Sequence, residues 1–220
     1  MQPAEGIFFI HHAICRDAQA IEALALAAES SASLEALAAR LTFFARVVKL
    51  HTDGEEAGLY PDIEARAPHV GAPYLMDHVA EIALHGELLA TIAAAAKAQG
   101  GARADLLAKV RRHAIALTEH TIAHVRKENE LIVPLLVKLF TPPEQGAQVG
   151  RMLAKFPPAD MQRVLPWIVN LLTNDERLTY LSLMQRLTPP DRLPGVVAWI
   201  RAGVSDEVWR GITTGVPGLA

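Results

Sequence analysis

The chain is predicted to be all-α: an antiparallel four-helix up-down bundle over residues 1–140, followed by a C-terminal cap of shorter helices over residues 141–220. Three observations predict it. Apolar residues recur at spacings of three and four along nearly the whole chain, the period of a helix with one buried face. Strand signals, meaning alternating β-branched residues bounded by turns, are missing. Ten of the fourteen prolines stand at or after Pro134, so long unbroken helices should precede short ones.

The first helix is expected over residues 3–29, with Ile7, His11, Ile14, Ala18, Ile21 and Ala25 on one stripe. Ser30, Ser31 and Ser33 then make a turn and offer an N-cap. The second helix carries Leu34, Leu37, Leu41, Phe44, Val48, His51 and Glu55 and is expected to end near Pro61. A loop holds Pro68, Gly71 and Pro73. The third helix places Leu75, His78, Ile82, His85, Leu89 and Ile92 on one face and stops at Gly100-Gly101. The fourth has Val110, Leu117, His124, Glu128 and Leu131 on its stripe and ends near Pro134. Short connections between such helices make neighbours antiparallel. Beyond them, Pro142-Pro143, Pro157-Pro158, Pro166, Pro189-Pro190 and Pro194 break the chain into short helices. Trp167, Trp199 and Trp209 give that region apolar surface to bury, so it is expected to pack as a cap on the bundle.

Composition narrows the function. At 220 residues and 51% hydrophobic the chain can bury the core of one domain, or of one domain with a helical extension. A net charge of −3 and scattered Lys and Arg give no basic footprint for nucleic acid and no membrane-surface patch. The longest apolar runs are Ala-rich and short of a spanning helix. The start, MQPAEGIFF, lacks the basic and apolar regions of a signal peptide. The single cysteine, Cys15, leaves no internal disulfide and no cysteine-based zinc site. A cytoplasmic protein is expected.

The chemistry is carried by a repeat. Residues 51–61, HTDGEEAGLYP, recur in skeleton at residues 124–134, HVRKENELIVP. Each copy sets a histidine four residues before a glutamate, one helical turn apart on the same face, with an acid or amide next and a proline six beyond. A histidine lies on the apolar stripe of each long helix: His11, His51, His78 and His124, joined by Glu55 and Glu128. A lone stripe histidine is most often an ordinary core residue. Four, with two glutamates, are not accounted for by packing. Burying ionised carboxylates without a partner is very costly, and no Lys or Arg lies on these stripes near mid-bundle. A metal supplies the missing charge. Four imidazoles and two carboxylates exceed one tetrahedral zinc and suit two octahedral ions bridged by the carboxylates. The mixed N/O donor set favours iron or manganese over calcium or magnesium, with positions left open for solvent or a small gas molecule.

Neighbouring residues are weaker candidates. His12 falls one position off the stripe, so His11 is preferred. His85 and His120 lie two turns and one turn from the ligand of their helix and read as core or outer partners. Glu56, Asn129 and Glu130 read as outer partners or surface, and Glu81 as exposed or an outer partner rather than an extra ligand. Tyr60 and Tyr74 can donate to a bound ligand or simply pack at helix ends.

The order H…HxxxE…H…HxxxE on four helices, with the LYP and IVP triplets after each glutamate, resembles the hemerythrin-like (HHE cation-binding) family over about residues 7–140. The segments IHHAICRD, DHVAE, VPLLVKLFTPPEQ and MQRVLPWIVNLLTNDE further resemble the hemerythrin domains of BRUTUS-type iron-sensing ubiquitin ligases of plants, to roughly residue 200. The resemblance implies that His11, His51, Glu55, His78, His124 and Glu128 bind two iron ions, oxo- or hydroxo-bridged, with Glu55 and Glu128 as carboxylate bridges; manganese and zinc rank behind iron. The cysteine-rich zinc modules of those ligases are missing here, so ligase activity does not carry over. Oxygen-carrying hemerythrins have HxxxH on the third helix and HxxxxD on the fourth, whereas this chain has Ile82 four after His78 and Glu128 four after His124. The carboxylate-richer set favours sensing of iron, oxygen or redox state over oxygen carriage, with a diatomic molecule or peroxide as the small ligand. A di-iron enzyme acting on peroxide, oxygen or nitric oxide is the alternative, and a metal-free helical interaction protein the third.

Overall fold

The serine turn sets the first chain reversal. Ser30 Oγ accepts from the Ser33 backbone N–H at 3.1 Å and caps the helix that follows, satisfying one of its free N–H groups. In the computed structural model, which describes residues 1–219, a single 3-10 turn (Pro3–Gly6) leads into α1 (Ile7–Ala27), and α2 (Ser31–Gly58) returns beside it. After the short α3 (Tyr60–Arg66) come α4 (Ala72–Lys97) and α5 (Gly100–Lys127). α1 packs on α2 and α5, and α4 packs on the same two, which closes the four long helices into a ring. Among the described residues there is no strand. The ring encloses Ile14, Leu37, Leu41, Phe44, Leu88 and Leu117, all buried.

Both prolines of the repeat stand six residues beyond the glutamate and act by different means. Pro61 has no N–H to continue α2, so α2 stops at Gly58 rather than at the proline, and Pro61 becomes a first-turn residue of α3. Pro134 does not end the fourth helix. A five-residue π turn (Glu128–Ile132) absorbs it and passes into α6 (Val133–Leu139). The wider turn buries Ile132 and Val133 and leaves Leu131 61% exposed, against the expectation that Leu131 lies on the buried stripe.

α4 is also rotated from expectation. Its buried face is Tyr74, His78, Glu81, His85, Leu88 and Ile92, whereas Leu75 and Ile82 are exposed. Spacings of three and four from His78 fit either set. The inward set wins because Tyr74 stacks on Tyr60 and Glu81 meets Thr121 of α5. By length and composition α4 is apolar enough to cross a membrane, contrary to the reading of its run lengths. Its inward His78, Glu81 and His85 pack against α2 and α5 instead.

The remaining chain forms α7 (Pro142–Leu153), α8 (Pro158–Leu171), α9 (Asn174–Leu187), α10 (Leu193–Gly203) and α11 (Asp206–Gly215), closed by a 3-10 turn (Pro217–Leu219). α7 lies on α2 at Gly58, where a Cβ would stand 2.8 Å from the Gln148 carbonyl oxygen and 2.7 Å from Met152 Cγ. α8 packs on α1, and Phe9, Ala13, Val47 and Leu50 share one cluster with Phe156, Val164, Ile168 and Leu183. Leu165, Val169, Leu181, Ile200 and Ile212 form a separate cluster within α8–α11. Polar contacts pin this region to the bundle: Trp167 Nε1 donates to buried Asp17 at 3.0 Å, and Arg16 donates to both oxygens of Glu176 at 2.6 and 3.0 Å.

Candidate metal centre

Each long helix delivers one imidazole to the same point of the bundle. His11 comes from α1, His51 and Glu55 from α2, His78 from α4, His124 from the end of α5 and Glu128 from the start of the π turn. None is more than 4% exposed. They form two groups that share both carboxylates: His11, His51, Glu55 and Glu128 in one, and His78, His124, Glu55 and Glu128 in the other. Within each group the potential ligand atoms all lie within 4.8 Å of one another, the span a single cation bridges.

The distances are those of groups facing a common centre. His51 Nε2 is 3.2 Å and His11 Nε2 3.6 Å from Glu55 Oε1, and His78 Nε2 is 3.5 Å from Glu55 Oε2. Glu128 Oε2 lies 3.4 Å from both His11 Nε2 and His124 Nε2. His11 Nε2 and His51 Nε2 stand 3.0 Å apart. Tyr60 closes one side, its hydroxyl donating to Glu128 Oε1 at 2.6 Å.

The outer nitrogens fix which way the rings face. His11 Nδ1 meets Asn129 Oδ1 at 2.6 Å, His78 Nδ1 meets Glu56 Oε1 at 2.9 Å and His124 Nδ1 meets Asp77 Oδ2 at 3.2 Å. Carboxylate and amide oxygens only accept, so each Nδ1 carries the proton and each Nε2 turns its lone pair inward. Asp77 is held in turn by the Lys127 ammonium.

This donor set fits a metal. Glu55 Oε2, His78 Nε2, His124 Nε2 and Glu128 Oε2 are buried and have no hydrogen-bond partner. An orphaned buried acceptor costs about 1–3 kcal/mol, and more when charged. Four of them converging on one spot are compensated together by cations and by little else. Without that charge, protons take its place. Burial, then the charge of Glu128, pushes the Glu55 carboxyl up. Burial opposes ionisation of Glu128 too, but His78, His11, His124 and His51 outweigh it and hold its carboxyl down. Against the cost of burial, Glu128, Glu55 and Glu56 raise His78 to about 9. His51, buried and beside a charged His11, is driven well below the ordinary imidazole range.

The weaker candidates fall outside both groups. His12 points to the cap, its Nδ1 2.9 Å from Glu176 of α9 and misaligned for a hydrogen bond. His120 Nε2 bonds the Asp77 carbonyl oxygen at 3.0 Å. His85 packs edge-on against Phe44 and is lowered to about 4 by burial and by the charge of His120. Glu81 is not exposed: it is 2% accessible, accepts from Thr121 Oγ1 at 2.5 Å, and burial raises its carboxyl. Asp77 and Lys127 join the site as outer partners that the sequence does not point to. Neither lies on an apolar stripe, so the sequence carries no periodic signal for them.

The sequence profile of the hemerythrin HHE cation binding domain matches residues 3–136. The zinc finger protein BRUTUS of Arabidopsis thaliana is 28% identical over 170 residues, which cover 76% of this chain and 13% of the plant protein. A BRUTUS-like zinc finger protein of the same plant is 24% identical over 132 residues, 60% of this chain and 10% of its own length. The chain thus spans only a small part of these curated relatives. No solved structure matches it.

Proposed function

The chain belongs to the hemerythrin HHE cation-binding domain family, and on that premise we propose that it binds a pair of iron ions and senses iron, oxygen or redox state. His11 and His51 would hold one ion and His78 and His124 the other, with Glu55 and Glu128 available to both. The observation that carries this reading is the set of four partnerless, buried, inward-facing site atoms on Glu55, His78, His124 and Glu128. When bound, the pair would supply positive charge and Lewis-acid chemistry toward a diatomic or peroxide ligand. The protein's own groups do the rest. Glu56, Asn129 and Asp77 orient the imidazoles, Tyr60 donates to Glu128, and burial of all six donors excludes bulk water.

The signal is mechanical. All four long helices converge on the site, so loss of the metal leaves protons alone to offset the buried carboxylates where the helices meet, and loosens the ring. Binding free energy at such a site is folding free energy. Residues 141–220 belong to the same unit in this reading, since Trp167 and Glu176 tie them to the helix that carries His11. A reducing, cytoplasmic setting accords with the single cysteine.

Thermal melting of metal-free and iron-loaded protein tests the proposal. Ligand at about a thousand times its dissociation constant stabilises by about 4 kcal/mol, which raises the midpoint by about 10 °C in a chain of this size. Equal midpoints would overturn the sensing mechanism. Sustained, rapid turnover of peroxide by the loaded protein would instead place it among di-iron enzymes.

A further inference from the structure

We infer that the two halves of the site are unequal and fill in order: the half formed by His78 and His124 takes the first cation, and the half formed by His11 and His51 takes the second. The inference rests on the metal-binding reading above and adds a division of labour to it.

The groups behind the imidazoles carry the argument. In the α4–α5 half both rings are backed by carboxylates, His78 by Glu56 at 2.9 Å and His124 by Asp77 at 3.2 Å, with Asp77 anchored by Lys127. In the α1–α2 half, His11 is backed by the neutral amide of Asn129 at 2.6 Å. His51 Nδ1 has no hydrogen-bond partner among the described residues, only its contacts through Nε2. A carboxylate behind a ligating imidazole fixes its tautomer and angle and strengthens it as a donor. Loss of such a partner costs about 10- to 100-fold in metal affinity. An amide orients the ring and adds no charge. The outer partners therefore sum to one negative charge in the α4–α5 half (Glu56 and Asp77 against Lys127) and to none in the other. The bridging carboxylates are common to both halves, so the outer partners set the difference.

One consequence concerns the cap. α1 and α2 are the helices on which α8 and α7 lie. The half that empties first as metal becomes scarce is thus the half joined to the C-terminal helices.

The test is calorimetric titration of the full metal-free chain with cobalt(II) under anaerobic conditions, with circular dichroism melting of each variant. Unmodified protein should bind two ions in two steps whose dissociation constants differ by about tenfold or more. Glu56→Gln and Asp77→Asn should each weaken the first step by about tenfold or more and leave the second in place. Asn129→Ala should weaken only the second step. His51→Ala should keep a single tight ion, and His78→Ala should lose the tight step. Two equal steps, or weakening of the second step alone by Glu56→Gln, would overturn the ordering while leaving the metal site intact. No cobalt taken up by the unmodified chain would overturn the metal-binding reading itself, and the ordering with it.

Discussion

The side-chain oxygen of Asn129 lies 2.6 Å from His11 Nδ1, joining the π turn that follows α5 to the first helix. Glu56, at the equivalent position of the first repeat, does the same for His78 at 2.9 Å. Each copy of the repeat thus makes three contributions within six residues. It supplies an imidazole, a carboxylate shared by both groups, and a partner that orients the one site histidine of a helix other than its own. Two such segments on α2 and α5, with one histidine each from α1 and α4, complete the site.

Crowding two carboxylates at this centre should destabilise the metal-free protein. Burial and the charge of Glu128 raise the Glu55 carboxyl, so Glu55→Gln removes a group that resists ionisation. The variant should be as stable as the parent without metal, or more stable by about 1 kcal/mol, by urea denaturation. It should hold fewer metal ions after purification. A loss of both stability and metal would mean that Glu55 works as a structural partner.

Metal uptake should release protons. His78 is raised from 6.5 to about 9, so it is protonated at neutral pH in the metal-free protein. A raised value stabilises the fold fully below pH 6.5, and that contribution is lost as pH rises through about 9. Affinity for metal should run the opposite way, tightening by about tenfold per pH unit through this window as the proton to be displaced disappears. Titration of metal in weakly buffered solution, following pH, measures the release directly.

Gly58 lets α7 lie against α2. A methyl group there would meet the Gln148 backbone oxygen at 2.8 Å, which cannot swing aside. Gly58→Ala should destabilise by about 1–3 kcal/mol despite the better helix propensity of alanine. Gly86, with nothing near its would-be Cβ, is the control. Gly86→Ala should be neutral or stabilising by up to about 1 kcal/mol in the same melts.

Trp167 satisfies a buried carboxylate rather than only filling space. Asp17, 1% exposed, accepts from Trp167 Nε1 and from the Arg40 guanidinium. Trp167→Phe keeps most of the apolar contact and removes the donor. It should cost about 2 kcal/mol in thermal or urea unfolding followed by circular dichroism. A change within experimental error would show that Arg40 alone meets the need.

Helical period made the fold class legible, because stripes such as Leu34, Leu37, Leu41 and Phe44 have to face a core and do. It also pointed to the six residues that converge, because carboxylates on an apolar stripe demand a cation. It could not choose the face of α4. His78 fits a stripe with either Leu75 and Ile82 or Tyr74 and Glu81, and partners on α3 and α5 decided. Pro134 signalled a break but not its kind, since a π turn and a helix end both relieve a missing N–H. The outer partners were hardest to read. Glu56 and Asn129 stand beside the glutamates in sequence, yet the rings they hold come from other helices, and Asp77 lies at the half-buried edge of the α4 stripe, where a charged residue reads as solvated surface.

The most direct test of the central claim is elemental analysis of protein purified without added metal, with absorption spectra taken in air and after anaerobic reduction. The account predicts about two irons per chain, with near-ultraviolet bands that change on reduction, and loss of both iron and bands in His51→Ala and His124→Ala combined. A chain that carries no metal and takes up none from ferrous iron under anaerobic conditions would contradict it.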